Sequence, residues 1–123
     1  MEPRLQSVFL VRSEHLNHQG HLFGGDLMAE IDTLAFCLLR QEFGRQAFVT
    51  RAAQISFERP ASLGDIITFE AALAGIGRTS VSVEVAGGVG GQRVCGARMV
   101  YVNLGPDGKK APVPERQPAA PTA

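Results

Sequence analysis

The chain contains the stretch Asn17-His18-Gln19-Gly20-His21-Leu22-Phe23-Gly24-Gly25, which runs directly into a segment whose apolar residues recur at helical spacing. Two glycines at the start of a helix leave backbone N–H groups open to a ligand, and the helix dipole favours negative charge at that end. An oxyanion that develops during a reaction would be stabilised there as well as a phosphate would. Because paired glycines also occur where a chain simply enters a helix tightly, both interpretations stand at this point.

Asp32 is an acidic residue at a place in this helix where an apolar one is expected. The residues three and four positions away are all apolar: Met28, Ala29, Ala35 and Phe36. Residues at these separations are adjacent on a helix surface, so we expect the carboxylate to face a buried or half-buried region. Asp32 also lies roughly 10 Å along the helix from Gly25, which is too far for a role limited to the helix dipole. The residues alone leave a functional and a structural Asp32 equally open.

The hydrophobic pattern predicts one long helix between a first strand and four later ones. A wide apolar stripe, expected to be buried, predicts a helix from Gly25 to about Phe43, ended by Gly44. The stripe consists of Leu27, Met28, Ile31, Leu34, Ala35, Leu38 and Leu39. Apolar runs, period-two patterns and turn residues predict strands at 5–12, 47–57, 64–73, 79–85 and 93–104. In the third of these, one face is expected to carry Ile67, Phe69, Ala71 and Leu73. Successive strands joined by short turns pair antiparallel, so the element order predicts an α+β fold with a four-strand meander after the helix.

The remaining segments are predicted to be loop and tail. Gly87-Gly88-Val89-Gly90-Gly91 joins two strands and lacks the Lys-Ser/Thr of a P-loop, so we expect a flexible hairpin loop. Residues 1–114 are expected to form a single domain, because 123 residues with 45% hydrophobic content supply one modest core. The Pro- and Ala-rich segment 115–123 is expected to be a disordered tail.

Composition excludes several classes of protein. Basic and acidic residues number 12 each, so the formal net charge is zero and no basic excess indicates a nucleic-acid-binding protein. The sequence has no charge block, no secretory signal and no apolar run long enough to cross a membrane. Near-zero charge permits close self-association. Cys37 and Cys95 lack CxxC spacing, so we expect buried free thiols in a reducing cytoplasm.

Motifs along most of the chain resemble those of the hotdog-fold acyl-CoA thioesterases, the acyl-CoA hydrolase family that includes small bacterial enzymes. They are Asn17-x-x-Gly20-x-x-Phe23-Gly24-Gly25-x-x-Met28-x-x-Ile31-Asp32, Ser56-Phe57-x-Arg59-Pro60, Gly64-Asp65, Gly77-Arg78-Thr79-Ser80-Val81 and Tyr101-Val102. The similarity runs from about Leu5 to Pro114. It implies the hotdog fold, in which a five-stranded antiparallel sheet wraps around one long central helix.

The resemblance implies hydrolysis of acyl-CoA thioesters to a carboxylic acid and coenzyme A. It assigns Asp32 to activating or orienting a water, while Asn17 and the backbone N–H of Gly25 hold the thioester. Direct attack by Asp32 to form an anhydride stays open. The family implies no metal and no other cofactor, since coenzyme A is part of the substrate.

The resemblance also implies contacts with the rest of the substrate. The cationic candidates for the phosphates of coenzyme A are Arg59, Arg78, Lys109 and Lys110, with the hydroxyl groups of Thr79 and Ser80 near the pantetheine. The acyl end is expected to be lined by bulky apolar side chains, namely Phe23, Phe57, Leu22 and Met28. The backbone of Gly24 is expected to contact the substrate beside them.

The separation of Gly25 from Asp32 on one helix indicates a site shared between two copies, because no water contacts both across roughly 10 Å. The family implies homodimers that assemble into tetramers or hexamers. Two alternatives remain: a non-catalytic acyl-CoA-binding hotdog module, and a hotdog dehydratase or hydratase acting on acyl thioesters. His15, His18 and His21 recur at three-residue spacing, but with only Asp26 nearby they make a weak zinc motif.

Overall fold

The computed structural model describes residues 4–117; residues 1–3 and 118–123 lie outside the described part. An α-helix, α1, spans Gly24–Phe43, and a 3-10 turn spans Ser13–His15. The strands are β1 (Arg4–Leu10), β2 (Ala47–Phe57), β3 (Ile66–Ile76), β4 (Ser80–Val89) and β5 (Gln92–Leu104). The predicted helix and strands are confirmed, with ends that shift by a few residues. Within residues 4–117 we find no helix with the length and apolar content that crossing a bilayer requires.

One apolar face of α1 packs against the sheet. Seven residues of this face are at most 4% exposed: Leu27, Ile31, Leu34, Ala35, Leu38, Leu39 and Phe43. The prediction that Met28 is also buried is wrong, because its side chain is 45% exposed. The sheet covers only one side of the helix, and Met28 lies on the other side, one turn before Asp32. At Gly44 the helix ends with φ at 73°, the left-handed region that favours glycine.

The five strands form one antiparallel sheet in the order β1-β3-β4-β5-β2. The predicted four-strand meander is therefore wrong in one respect: only β3, β4 and β5 pair consecutively, and β2 pairs with β5 at the far edge. The connection 58–65 does not make a tight turn but packs beside the start of the helix, where Leu22 N–H donates to the Ala61 carbonyl. Strands β1 and β2 each have one unpaired edge within the described chain.

The core lies between α1 and the concave face of the sheet. The face predicted for β3 is confirmed, since Ile67, Phe69, Ala71 and Leu73 are all buried. Inward residues of the next two strands complete the core: Val81, Val83, Val85, Met99 and Tyr101. The five-stranded sheet around one long helix therefore agrees with the expected architecture.

The glycine-rich segment is mostly strand and not loop. Gly87 and Gly88 belong to β4, and the turn consists of Gly90 and Gly91, which both have positive φ as two-residue hairpin turns require. Gly87 is needed for packing, because a Cβ there would lie 2.8 Å from a Phe69 ring carbon. The prediction of a flexible loop over residues 87–91 is thus wrong for its first three residues.

The segment after β5 folds back along the molecule. Val113 N–H donates to the Arg78 carbonyl, and the Arg116 guanidinium lies 2.9 Å from a carboxylate oxygen of Glu42 near the end of α1. Of the predicted disordered tail 115–123, the structure describes Glu115, Arg116 and Gln117, and the remainder lies outside the described residues.

Candidate active site

Asn17 shapes the loop that leads into the helix. Its side-chain Oδ1 accepts hydrogen bonds from the backbone N–H groups of Gln19 and His21, at 2.9 and 3.1 Å. This is the local pattern by which asparagine stabilises turns. The side-chain Nδ2 has no acceptor among the described residues, so it remains available as a donor in the depression that Asn17 lines.

The start of α1 has no side-chain cap. The N-cap residue is Phe23, whose side chain has no acceptor atom, and the N–H groups of Gly24 and Gly25 find no acceptor within residues 4–117. Serine, threonine, aspartate or asparagine would ordinarily occupy this place and bind those N–H groups. The helix therefore presents two free donors and the positive end of its dipole.

Two exposed aromatic rings flank these glycines. A Cβ on Gly25 would lie 2.5 Å from a Phe23 ring carbon, and a Cβ on Gly24 would lie 3.7 Å from the Phe57 ring. Phe23 and Phe57 are 54% and 55% exposed. A depression of about 360 Å³ opens beside them, and its lining includes Asn17, His21, Leu27, Phe57, Arg59 and Val94. Free amide donors, a side-chain amide and apolar walls thus meet at one end of the helix.

Asp32 is half-buried and lies at the border between the face of α1 that packs on the sheet and the uncovered face. Its Oδ1 accepts a hydrogen bond of 2.9 Å from the Tyr101 hydroxyl and a longer one, 3.4 Å, from the Thr50 hydroxyl. Burial raises the pKa of Tyr101 far above its ordinary value, and the adjacent Asp32 carboxylate raises it further. Tyr101 therefore stays protonated and acts as the donor.

The sequence alone does not identify Thr50 and Tyr101 as partners of Asp32. The two residues are directly opposite each other in the β2–β5 pairing. That pairing joins strands that are distant in sequence, so only the sheet order reveals it. The one feature of the sequence that could have indicated this contact is the position of two hydroxyl-bearing residues on strand faces that are directed at the helix.

Asn17 and Asp32 line two different depressions on the surface of the chain. The depression beside Asp32 has a volume of about 520 Å³ and is lined by α1 residues that include Thr33, Phe36, Cys37 and Arg40. Asn17 does not contribute to it. Within one chain the structure therefore keeps the proposed oxyanion donors and the carboxylate apart.

The residues expected to hold coenzyme A lie at two opposite ends of the sheet. Arg59 follows β2 beside the start of α1. Arg78, Thr79 and Ser80 lie at the other end, since Ser80 pairs with Val102, which in turn pairs with Val49 near the start of β2. Lys109 and Lys110 lie at that same end, beside Leu104. The length of β2 separates the two groups by roughly 30 Å.

The loop histidines form no metal site in the described residues. No group of three or more histidine, cysteine, aspartate or glutamate side chains within residues 4–117 has metal-binding geometry. His15 Nδ1 instead accepts a hydrogen bond from the Arg12 N–H at 3.0 Å. Both cysteines are free; Cys95 is buried as predicted, whereas the prediction for Cys37 is wrong, because it lies exposed on the uncovered face of α1.

Comparisons with known proteins bear on this geometry. Residues 19–96 match the family model described as the thioesterase superfamily. The chain is 34% identical over 108 residues to the acyl-CoA thioester hydrolase YciA of Salmonella typhimurium, with 80% of each chain covered.

Two solved structures are similar throughout the fold. One is an acyl-CoA hydrolase from Staphylococcus aureus in complex with butyryl coenzyme A, coenzyme A and coenzyme A disulfide (27% identity, TM-score 0.83, 91% of this chain and 72% of that chain). The other is a hexameric acyl-CoA thioesterase (27% identity, TM-score 0.82, 95% and 79% coverage). Further structures of the S. aureus enzyme carry alanine in place of an aspartate, an asparagine or a threonine.

Proposed function

The chain belongs to the thioesterase superfamily, and we propose that it hydrolyses acyl-CoA thioesters to a carboxylic acid and coenzyme A. The observation that carries this proposal is the pair of uncapped N–H groups at Gly24 and Gly25, combined with a carboxylate, Asp32, whose Oδ1 is held by two hydroxyl groups. Thioester hydrolysis needs donors for a developing oxyanion and a base for the attacking water, and this chain supplies both.

In the proposed reaction, Asp32 accepts a proton from a water whose oxygen attacks the thioester carbon. The carbonyl oxygen becomes an oxyanion and accepts hydrogen bonds from the Gly25 N–H and the Asn17 side-chain amide. Collapse of this intermediate breaks the carbon–sulfur bond, and the coenzyme A thiolate takes the proton back from Asp32. Attack by the carboxylate itself, giving an anhydride that water then opens, would use the same groups.

The alanine variants of the S. aureus enzyme support this assignment. There the asparagine precedes the aspartate by the same number of residues as Asn17 precedes Asp32 here. In that enzyme the number of residues from the aspartate to the threonine differs by only one from the number between Asp32 and Thr50 here. We therefore add Thr50 to the proposed site, as a residue that holds Asp32 and faces the reacting water.

We propose that the complete site forms between two copies of the chain. The edge strand β2 has a free side, and its Val49 and Phe57 are exposed, as is Met28 on the neighbouring helix face. Antiparallel pairing of two β2 strands would bring the Phe57 end of one copy to the Ala47 end of the other. The two helices would then run antiparallel, so that Asp32 of one chain approaches Gly25 of its partner. A similar enzyme is hexameric, and we expect such dimers to assemble further into tetramers or hexamers.

The same arrangement brings together the two separated groups of coenzyme A residues. Arg59 of one chain would lie near Arg78, Lys109 and Lys110 of the partner, and this combined cationic surface would bind the phosphates. Thr79 and Ser80 would contact the pantetheine. Phe23, Phe57, Leu22 and Met28 would line the acyl end. The two free thiols agree with a reducing compartment, so we propose a cytoplasmic enzyme of acyl-CoA and lipid metabolism.

The test is release of coenzyme A from acyl-CoA substrates, followed with a thiol reagent in the presence of a metal chelator. We expect steady release by the wild type and at most about one hundredth of that rate from Asp32→Asn protein purified in the same way, which controls for contaminating hydrolases. Tight acyl-CoA binding without release would favour the non-catalytic module. A hydrated or dehydrated thioester with coenzyme A still attached would favour the dehydratase or hydratase.

A further inference from the structure

Tyr101 places a hydroxyl group at a point in the core where a phenylalanine would fill the same space. Its side chain is fully buried on β5, with Val81 of β4 on one side and Thr50 of β2 on the other. The Phe36 ring packs edge-on against it, with the ring centroids 4.8 Å apart. The hydroxyl is directed out of this apolar core at Asp32 Oδ1, 2.9 Å away. A buried phenol is retained where its hydroxyl has a partner, and here that partner is the proposed catalytic carboxylate.

We propose that Tyr101 is a positioning residue for the hydrolytic reaction: its hydroxyl fixes Oδ1 of Asp32 and thereby directs Oδ2 at the reacting water. This inference rests on the proposed function only for its kinetic consequence. The contact between Tyr101 and Asp32 stands independently of any activity.

Two effects follow from a donor on Oδ1. The first is orientation, because a carboxylate with one oxygen anchored to the sheet cannot rotate freely about its terminal torsion. The second is charge, because a hydrogen bond donated to the ionised form of a carboxyl group favours that form. The Thr50 hydroxyl donates to the same oxygen, but at 3.4 Å its bond is weaker than the 2.9 Å bond from Tyr101.

Few other charged groups face this carboxylate in the described chain. On α1, Arg40 and Cys37 line the same depression as Asp32. Thr50 of β2 is uncharged, and β5 contributes Tyr101, whose raised pKa keeps it neutral and donating over the working pH range. The loss of the Tyr101 hydroxyl would therefore remove the shortest hydrogen bond that stabilises the ionised Asp32.

The kinetic test is Tyr101→Phe, which removes one oxygen and keeps the ring. We expect kcat to fall about tenfold, as loss of a hydrogen bond to a charged group predicts, with KM within about twofold of the wild type. The matched control is Met99→Leu, a buried residue two positions earlier on β5, which should leave both kcat and KM within about twofold of the wild type.

An unchanged kcat in folded Tyr101→Phe protein would overturn the proposal. A loss of kcat no larger than the loss in Met99→Leu would show a packing role only and would overturn it as well. For both variants, a thermal melt monitored by far-UV circular dichroism verifies that the protein is folded.

A spectroscopic test needs no activity and no Tyr101 substitution. The chain contains one tyrosine and no tryptophan, so growth on 3,5-difluorotyrosine labels Tyr101 alone and lowers the pH at which its phenol ionises. Phenolate absorbance should appear at lower pH in Asp32→Asn protein than in labelled wild type, because the variant lacks the adjacent negative charge. Identical titrations would show that the two groups are not coupled and would overturn the proposal. A wild type that releases no coenzyme A but shows the coupling would refute the proposed function and leave the contact intact.

Discussion

The substitution Asp32→Asn separates the chemistry of the proposed site from its structure. Asparagine keeps an oxygen in the position of Oδ1, so the hydroxyl groups of Tyr101 and Thr50 retain an acceptor. The carboxylate is only half-buried, and the free energy of unfolding should therefore change by less than about 1 kcal/mol. What the variant lacks is a group able to accept the proton of water.

Loss of a general base lowers rates by about 10²- to 10⁴-fold, which corresponds to roughly 3–5 kcal/mol in the activation barrier at about 1.4 kcal/mol per tenfold. We therefore expect kcat of Asp32→Asn to be at most about one hundredth of the wild-type value. The assay is the initial rate of coenzyme A release at saturating acyl-CoA, with protein of verified oligomeric state and thermal stability.

The matched control is Asp26→Asn, which removes an acid from the first turn of the same helix. It should cost a few tenths of a kcal/mol of stability through the helix dipole and leave kcat within about twofold of the wild type. An Asp32→Asn enzyme with more than about a third of wild-type turnover would remove Asp32 from the mechanism, as would an equal loss in both variants.

Three further predictions concern other parts of the molecule. Asn17→Asp keeps the Oδ1 acceptor of the loop but loses the side-chain N–H donor, so kcat should fall with little change in Tm. Asn17→Ala should lower both kcat and Tm, and full kcat in Asn17→Asp would exclude the N–H donor from the site. Arg59→Ala and Arg78→Ala should raise KM for acyl-CoA about tenfold or less at nearly constant kcat, and an equal loss on a truncated pantetheine thioester would show that they do not bind the phosphates. Gly87→Ala should cost about 1–3 kcal/mol in urea unfolding, because its Cβ would lie 2.8 Å from a ring carbon, while Gly75→Ala, with open space around it, serves as the control; equal stabilities would contradict the close packing.

Local patterns in the sequence predicted the elements but not how all of them pair. The 3.6-residue period of the helix and the two-residue period of the strands are properties of short windows, and Gly44 gave the helix end. The position of β2 beside β5 could not be predicted, because the connection 58–65 is compatible with more than one neighbour. The sequence around Gly87 predicts a loop because glycine is selected both where a turn needs positive φ and where tight packing leaves no room for a Cβ. The sequence does not distinguish these two reasons.

The candidate site was predictable where its residues are close in sequence. Asn17, Gly25 and Asp32 lie within one loop and one helix, and their chemistry is visible in the order of residues. Tyr101 became a partner of Asp32 only once the sheet order was known, because β5 comes long after the helix. Met28 had the pattern of a core residue and yet is exposed, and we attribute this to a helix face that a second copy covers in the proposed dimer.

In the proposed dimer, the carboxylate of Asp32 and the oxyanion donors of one site come from two different chains. The most direct measurement mixes two inactive proteins, Asp32→Asn and the double variant Asn17→Ala, Gly25→Ala, which are unfolded and refolded together. In a mixed dimer one site receives every defect and the other receives none. Random pairing of equal amounts makes about half of the dimers mixed, and each mixed dimer has one intact site of its two. The mixture should therefore recover about a quarter of wild-type activity. Native mass spectrometry verifies the subunit exchange. Recovery near that value would support the shared site, and mixed dimers as inactive as the separate variants would show that each chain contains its own complete site.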